Sequence, residues 1–327
     1  DAVGLTRQTF SIPRVAPETM LNLEIPGMLV LTASRHRNKL KLGHLAGNRF
    51  RIMLRGTEEG SIERVEATLA VLEKRGIPNY FGSQRYGAQK NSHLVGRGLV
   101  QGDWRAAFET VIGDAAQVRD ERWRAAIEAY RRGNIQESIR LFPGHCRTER
   151  DILQRLAKRP EEYEKAFHAI NPRLKKLYLS AYQSSLFDRL LTERLSSLDR
   201  VLDGDLAIKH DNGACFLVTD AAGEAARAER FEISPSGPMF GCRMMLPEDR
   251  PREMEEALLA AEGISLESFN VAGGLTMQGE RRPLRVPLGE ASVKMDGEAL
   301  LLTFVLPRGS YATSVLREIM KPEVNCR

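Results

Sequence analysis

The sequence predicts an α+β protein in which a helix-rich segment interrupts a sheet-rich one. Strand-like stretches with turn residues occupy both ends of the chain, whereas helical periodicity dominates from Asp103 to about residue 200. Charge divides the same way. Residues 1–102 together with 282–327 hold 22 Lys/Arg against 13 Asp/Glu, while 103–281 hold 26 against 30. At 327 residues the chain also exceeds what one compact core usually needs. The expectation is one domain built from 1–102 plus 282–327 and a second, inserted one over 103–281, with a polyanion binding mainly the basic part.

Composition narrows the class further. With 42% hydrophobic and 28% charged residues the chain reads as an ordinary globular protein. No run approaches the roughly 18 apolar residues that span a bilayer, so no membrane partner is expected. The cysteines Cys146, Cys215, Cys242 and Cys326 lie far apart without ligand spacing. Reduced thiols, a cytoplasmic location and no structural zinc follow as expectations. A reading frame does not open on Asp1, so the sequence is expected to begin inside a longer protein, and a signal peptide upstream stays open.

Taken in order, Pro13, Pro17 and Pro26 mark an extended stretch leading to an apolar run, Met28–Leu31, which reads as a strand. A second strand is expected over Asn48–Arg55, where Phe50, Ile52 and Leu54 alternate with Arg49, Arg51, Met53 and Arg55. Ile25–Thr57 contains no acid and seven Arg/Lys, so the outer face of this unit is a candidate phosphate-binding surface or else a merely solvated one. Residues 57–76 read as one helix, with Ile62, Val65, Leu69 and Leu72 on its core face and Lys74-Arg75 before Gly76 at its end. An acid-free run follows from Gly76 to Gly102.

Helices are then expected at Trp104–Val111, Glu121–Arg131, Glu149–Lys158, Glu161–Ala169 and Leu174–Leu195. Residues 201–247 give short strand-like pieces such as Ala214–Thr219 among Gly and Pro turns, and Pro251–Ala261 is a short helix. Basic residues return around strand-formers over Glu280–Leu288. Glu298–Leu306 is a strongly apolar strand, and Pro307-Arg308-Gly309 turns it into a closing helix, Ser310–Met320.

Most familiar chemistries are absent. No phosphate-loop or dinucleotide glycine pattern occurs, the six histidines lack metal-ligand spacing, and no nucleophilic-serine signature is found. What remains is a carboxylate among polar partners at Asp1, the turn Asn79-Tyr80-Phe81-Gly82, and an aromatic at the start of the last helix, Tyr311. Taken alone, Asp1 is a turn or cap residue and the three aromatics are core side chains. Together with cations they suit a flipped nucleobase: rings stack on it, amides read its edge, and cations hold flanking phosphates.

Three blocks occur in a telling order: Asp-x-x-x-x-Thr-x-Gln from Asp1, Asn-Tyr-Phe-Gly-x-Gln-Arg-Tyr-Gly from Asn79, and Leu-Pro-x-Gly-Ser-Tyr-Ala-Thr-Ser-Val-x-Arg-Glu from Leu306. Two weaker stretches, Arg35–Phe50 and Leu179–Phe187, join them. In these the chain resembles the TruD family of tRNA pseudouridine synthases over essentially its whole length.

The resemblance implies a pseudouridine-synthase-like domain with a mixed, mainly antiparallel sheet, split by the family's insertion domain. It implies a monomeric isomerase that converts uridine to pseudouridine in tRNA, at position 13, with no cofactor and no metal. Asp1 would be its nucleophile, Asn79 its substrate-contacting asparagine, and Phe81 and Tyr311 its active-site aromatics. Arg35, Lys39, Lys41, Arg49, Arg51 and Arg85 are the candidates for RNA-backbone contact. Two departures stand out. The Gly-x-Lys that precedes the aspartate in the family lies outside this sequence, and tyrosine replaces the usual phenylalanine at 86 and 311. A hydroxyl there keeps the stacking face but needs a hydrogen-bond partner or water.

A different class of protein also fits, an RNA-binding or tRNA-folding protein whose catalysis is dispensable. A carboxylate glycosidase would need a second catalytic acid, which the acid-poor motif stretches do not supply.

Overall fold

The computed structural model describes residues 4–41 and 43–321. The chain divides into two compact units, Asp1–Asn48 and Arg49–Arg327.

The first unit has little regular structure among its described residues: one short helix, α1 (Pro17–Leu21), and a single bridge between Ile25 and Met28. The expected strand over Met28–Leu31 is not formed. Pro26-Gly27 turn the chain between the two bridged residues, and Leu29 and Leu31 are left exposed. An apolar run alone cannot make a strand without a partner to complete its ladder.

The second unit holds the remaining elements. Its strands are β1 (Gly47–Leu54, from Arg49 on), β2 (Ile77–Pro78), β3 (Leu206–Lys209), β4 (Cys215–Leu217) and β5 (Ile233–Met239). They continue with β6 (Asn270–Val271), β7 (Leu275–Thr276), β8 (Glu280–Pro283), β9 (Arg285–Val286), β10 (Gly289–Asp296) and β11 (Ala299–Pro307). Its helices begin with α2 (Ser61–Arg75), α3 (Ser92–Gln101), α4 (Trp104–Ile112), α5 (Glu121–Arg131), α6 (Ile135–Leu141) and α7 (Arg147–Lys158). They end with α8 (Tyr163–Phe167), α9 (Pro172–Glu193), α10 (Ala221–Glu229), α11 (Asp249–Ala261) and α12 (Ala312–Met320).

A sheet in the order β1-β11-β10 carries α2 and α12, whose Val65, Leu69, Leu72 and Val315 pack with Leu300, Leu302, Phe304 and Leu306. β10 and β11 form an antiparallel hairpin closed by Gly297-Glu298, where Gly297 at φ 63° takes the positive angle such two-residue turns require. A second, antiparallel sheet has the order β4-β3-β5-β8.

β5 (Ile-Ser-Pro-Ser-Gly-Pro-Met) reads as a turn in sequence, yet every residue of it is buried. Its first half pairs with β3 and its second with β8, so the two prolines never have to donate along a full ladder on both sides.

Helix α3 is likewise invisible to periodicity, because Gly96 and Gly98 interrupt it. The structure gives the reason. A methyl group at Gly96 would strike the Tyr178 backbone of α9, and one at Gly98 would strike Ala107 of α4. The glycines thus let three helices touch closely.

α9 is the central rod of this packing, buried along most of its length by Leu179, Tyr182, Leu186, Leu190 and their neighbours. Two arginine–carboxylate pairs are sealed in the second unit, Arg194 with Asp205 at 2.7 Å and Arg281 with Glu255 at 2.8 Å. Burial outweighs the arginine at Glu255 and pushes its carboxyl up to about 7. Arg285 is wholly buried and held by neutral acceptors, the carbonyls of Arg75 and Ala228 and the Ser234 hydroxyl, with its guanidinium 4.4 Å from the Phe231 ring centre. Desolvation lowers it to about 10. Among the described residues no helix is long and apolar enough to cross a membrane.

Candidate active site

β2 ends at Pro78, and the chain then runs Asn79–Gly82 into a helical turn, Ser83–Tyr86. The turn sits on a small core of Tyr80, Phe187, Leu191, Leu198, Met239 and Leu284, with Phe81 against it. Asn79 is fixed at three points. Its N–H donates to the Leu284 carbonyl at 2.9 Å, its Nδ2 to the Pro283 carbonyl at 2.8 Å, and its Oδ1 accepts from Arg282 at 2.7 Å. At 3% exposure the amide keeps one N–H and one lone pair for any further partner.

Phe81 is half-buried and lies at the centre of an aromatic and cationic cluster. Its ring centre is 5.9 Å from that of Tyr311 and 5.8 Å from Phe187, the latter edge-on. The Arg282 guanidinium stands 4.3 Å from the same ring and that of Arg85 5.4 Å. Tyr311 precedes α12 and presses on the turn from the other side, because a Cβ at Gly82 would come within 2.7 Å of the Tyr311 ring. The Ser314 hydroxyl of α12 donates to the Tyr80 carbonyl at 3.2 Å, and Arg317 covers the Tyr80 ring at 4.5 Å. The two most specific sequence blocks therefore meet in space.

α9 supplies the brace. Asp188 accepts from the Phe81 N–H at 3.0 Å and from the Tyr86 hydroxyl at 2.7 Å. Burial is the largest influence on this carboxyl and pushes it up to about 6, against the two hydrogen bonds and the nearby Arg282 and Arg317, which favour its charge. The Tyr86 phenol is in turn pushed up by burial and by the facing carboxylate. This is where the departure from phenylalanine at 86 finds its partner. One and two turns earlier on α9, the Arg85 guanidinium donates to the hydroxyls of Ser184, at 3.1 Å from Nε, and Ser180.

Of the residues picked from sequence, Asn79, Phe81, Arg85 and Tyr311 form one cluster. Asp1 lies outside the described residues. Arg35, Lys39 and Lys41 belong to the first unit, where each is exposed and in no ion pair with a described residue. Arg51 is exposed on β1, whereas Arg49 is paired with Glu290 of β10 at 2.6 Å, both side chains exposed. The expected absence of counter-charge on that face thus fails at Arg49, since the strand two places across the sheet supplies one.

Sequence reasoning missed Asp188 and Arg282. Asp188 directly follows the Leu179–Phe187 stretch and is the acid whose helix face meets the turn. Arg282 was visible only as one of several cations around a strand. Its second guanidinium nitrogen bonds both Asn79 Oδ1 and the Gly309 carbonyl, at 3.0 Å, and so joins the two blocks. Among the described residues no group of three or more His, Cys, Asp or Glu is arranged to hold a metal ion.

The family model for tRNA pseudouridine synthase D (TruD) matches residues 1–319. The chain belongs to that family. It is 64% identical to the tRNA pseudouridine synthase D of Geobacter metallireducens over 98% of this chain and 80% of that protein. To a Thermus thermophilus protein of the same name it is 36% identical, over 99% of this chain and 72% of the other. A crystal structure of a Methanosarcina mazei protein assigned to TruD superposes with a TM-score of 0.79 at 27% identity, covering 94% of this chain and 76% of that one. The α+β architecture agrees with this TruD neighbour, and the cluster around Phe81 sits on two of the three blocks that carried the resemblance, those from Asn79 and Leu306.

Proposed function

We propose that the protein is a tRNA pseudouridine synthase that detaches uracil from C1′ of a uridine at position 13 and rejoins it through C5, using Asp1 as its nucleophile. The observation that carries this reading is the convergence of Asn79, Phe81 and Tyr311 in a TruD-family chain. A lone aspartate can act on the ribose or the base without metal or cofactor.

The target base must leave its stack, which costs on the order of a few kcal/mol. Stacking on Phe81 and Tyr311 contributes about 1–3 kcal/mol per base–ring contact. Phosphate contacts from Arg35, Lys39, Lys41, Arg51 and Arg85 offset the rest. Arg49 contributes less, because Glu290 already engages it.

In this reading 1–102 with 282–327 forms the catalytic domain and 103–281 the insertion, working as a monomer on cytoplasmic tRNA. The two parts share the β5–β8 pairing and the core beneath Tyr80, which supports a fixed wall beside the turn.

A tRNA carrying 5-fluorouridine at the target position tests the reading. A stable adduct or rearranged fluorinated product is expected. Unaltered 5-fluorouridine after prolonged incubation, with tRNA still bound, would leave the dispensable-catalysis reading in its place.

A further inference from the structure

Three arginines of the β8–β9 stretch are used differently. Arg281 has a partner for each of its three nitrogens, with two bonds to Glu255 and two to Ser236. Arg285 has a partner for each of its three nitrogens. Arg282 does not match them. One terminal nitrogen serves Asn79 and Gly309, the buried Nε has no partner, and no carboxylate lies within ion-pair distance among the described residues.

The other terminal nitrogen looks toward Gly309, where a Cβ would sit 3.9 Å from it. That is an ordinary contact distance, and the glycine is suited to its backbone angle, φ 79°. A second guanidinium, Arg85, faces the same Phe81 ring and, among the described residues, is held by the hydroxyls of Ser184 and Ser180 with no carboxylate in ion-pair distance. The nearby carboxylate, Asp188, is already engaged by Phe81 and Tyr86. Two like charges sharing one ring repel, and burial further lowers the hold of Arg282 on its proton. An anion between them relieves both costs, and planar guanidinium forks suit phosphate oxygens.

We propose that Arg282, together with Arg85, seats a phosphodiester oxygen of the RNA strand next to the target uridine, at the rim of Phe81. This rests on the reading above that RNA is the substrate, and it adds a ligand-facing role to a residue that also ties Asn79 to Gly309. The same guanidinium then positions the base-binding turn and registers the backbone of the nucleotide delivered to it.

The test measures tRNA affinity across a salt series, for the unaltered protein and for Arg282→Gln, on tRNA with either natural or neutral methylphosphonate linkages flanking the target uridine. Arg282→Gln is expected to lower the salt slope by about one on natural tRNA. One flanking methylphosphonate should lower the slope of the unaltered protein equally, and on that RNA Arg282→Gln should cause no further fall. An unchanged slope, or the same fall on natural and neutral linkages, overturns the proposal and leaves Arg282 as a tie within the fold.

Should Arg282→Gln fail to fold, the unaltered protein decides with the linkage series: no effect of either flanking methylphosphonate overturns the proposal. Arg282→Lys, which keeps the charge, should keep the slope. The readout is binding, so Asp1→Asn should show the same slope as the unaltered protein. In Asp1→Asn, loss of pseudouridine formation with the slope kept tests the catalytic reading separately from this proposal, whereas in Arg282→Gln an unchanged slope overturns the proposal whatever the activity.

Discussion

Replacing Asp188 separates the brace of the Phe81 turn from its charge. The carboxylate accepts from the Phe81 N–H at 3.0 Å and the Tyr86 hydroxyl at 2.7 Å. A hydrogen bond to a charged acceptor contributes about 1.5–3 kcal/mol, and a buried donor left alone costs about 1–3 kcal/mol. Net of these bonds, burial still pushes the carboxyl from 3.8 up to about 6. At ~1.4 kcal/mol per pH unit, holding it ionised at neutral pH costs about 3 kcal/mol.

Asp188→Asn keeps an acceptor for Phe81 and removes that penalty, which is already net of the two hydrogen bonds, so stability at neutral pH should not fall and should rise by up to about 3 kcal/mol. Asp188→Ala strands both donors and should fall about 2–4 kcal/mol below the Asn variant. The sign with pH follows from the raised value. The folded state holds this proton more tightly than the unfolded chain, so the group's stabilising contribution is complete below about 4 and is lost as pH rises through about 6. Asp188→Asn should flatten that limb. Urea unfolding over a pH series measures all three quantities. Equal destabilisation by Asn and Ala, or an unchanged limb in the Asn variant, would refute the reasoning.

Other perturbations probe neighbouring contacts. Gly82→Ala should push the half-buried Tyr311 ring away from the turn and cut kcat/KM at least about 10-fold, because the added methyl would come within 2.7 Å of that ring. Asp205→Ala leaves Arg194 charged and sealed, 4% exposed, and should cost about 3–5 kcal/mol in urea unfolding; replacing both partners by apolar residues should cost less. Tyr311→Phe should keep kcat/KM within about 3-fold since the stacking ring survives, whereas Tyr311→Ala should lose about 1–3 kcal/mol of base-stacking energy, read as kcat/KM on tRNA.

Much of the fold was legible wherever one face of an element meets the core. β1, α2, α5, α9 and β11 follow directly from alternation, helical spacing or an apolar run. Where backbone contact replaces side-chain burial, the pattern disappears. α3 needs Gly96 and Gly98 to approach α9 and α4, and those same glycines erase its helical signature. β5 is buried on both faces and split between two partners, so its prolines look like turns. Met28–Leu31 shows the converse, an apolar run that among the described residues pairs with nothing beyond the single Ile25–Met28 bridge.

At the site, Asn79, Phe81 and Tyr311 were readable because the resemblance is carried by contiguous blocks. Asp188 and Arg282 were not. Their roles depend on which side chains face each other across more than a hundred residues of intervening chain, as in the Phe81–Asp188 and Asn79–Arg282 bonds. The pairing of Arg49 with Glu290 was hidden for the same reason.

The central claim is that a single aspartate in a TruD-family chain does the chemistry for which the Phe81 cluster prepares the base. Asp1→Asn preserves size and hydrogen-bonding capacity while removing the charge, and pseudouridine in tRNA can be counted after incubation with each protein. The account predicts that Asp1→Asn binds tRNA as tightly as the unaltered protein and forms no detectable pseudouridine; undiminished product from Asp1→Asn would contradict it.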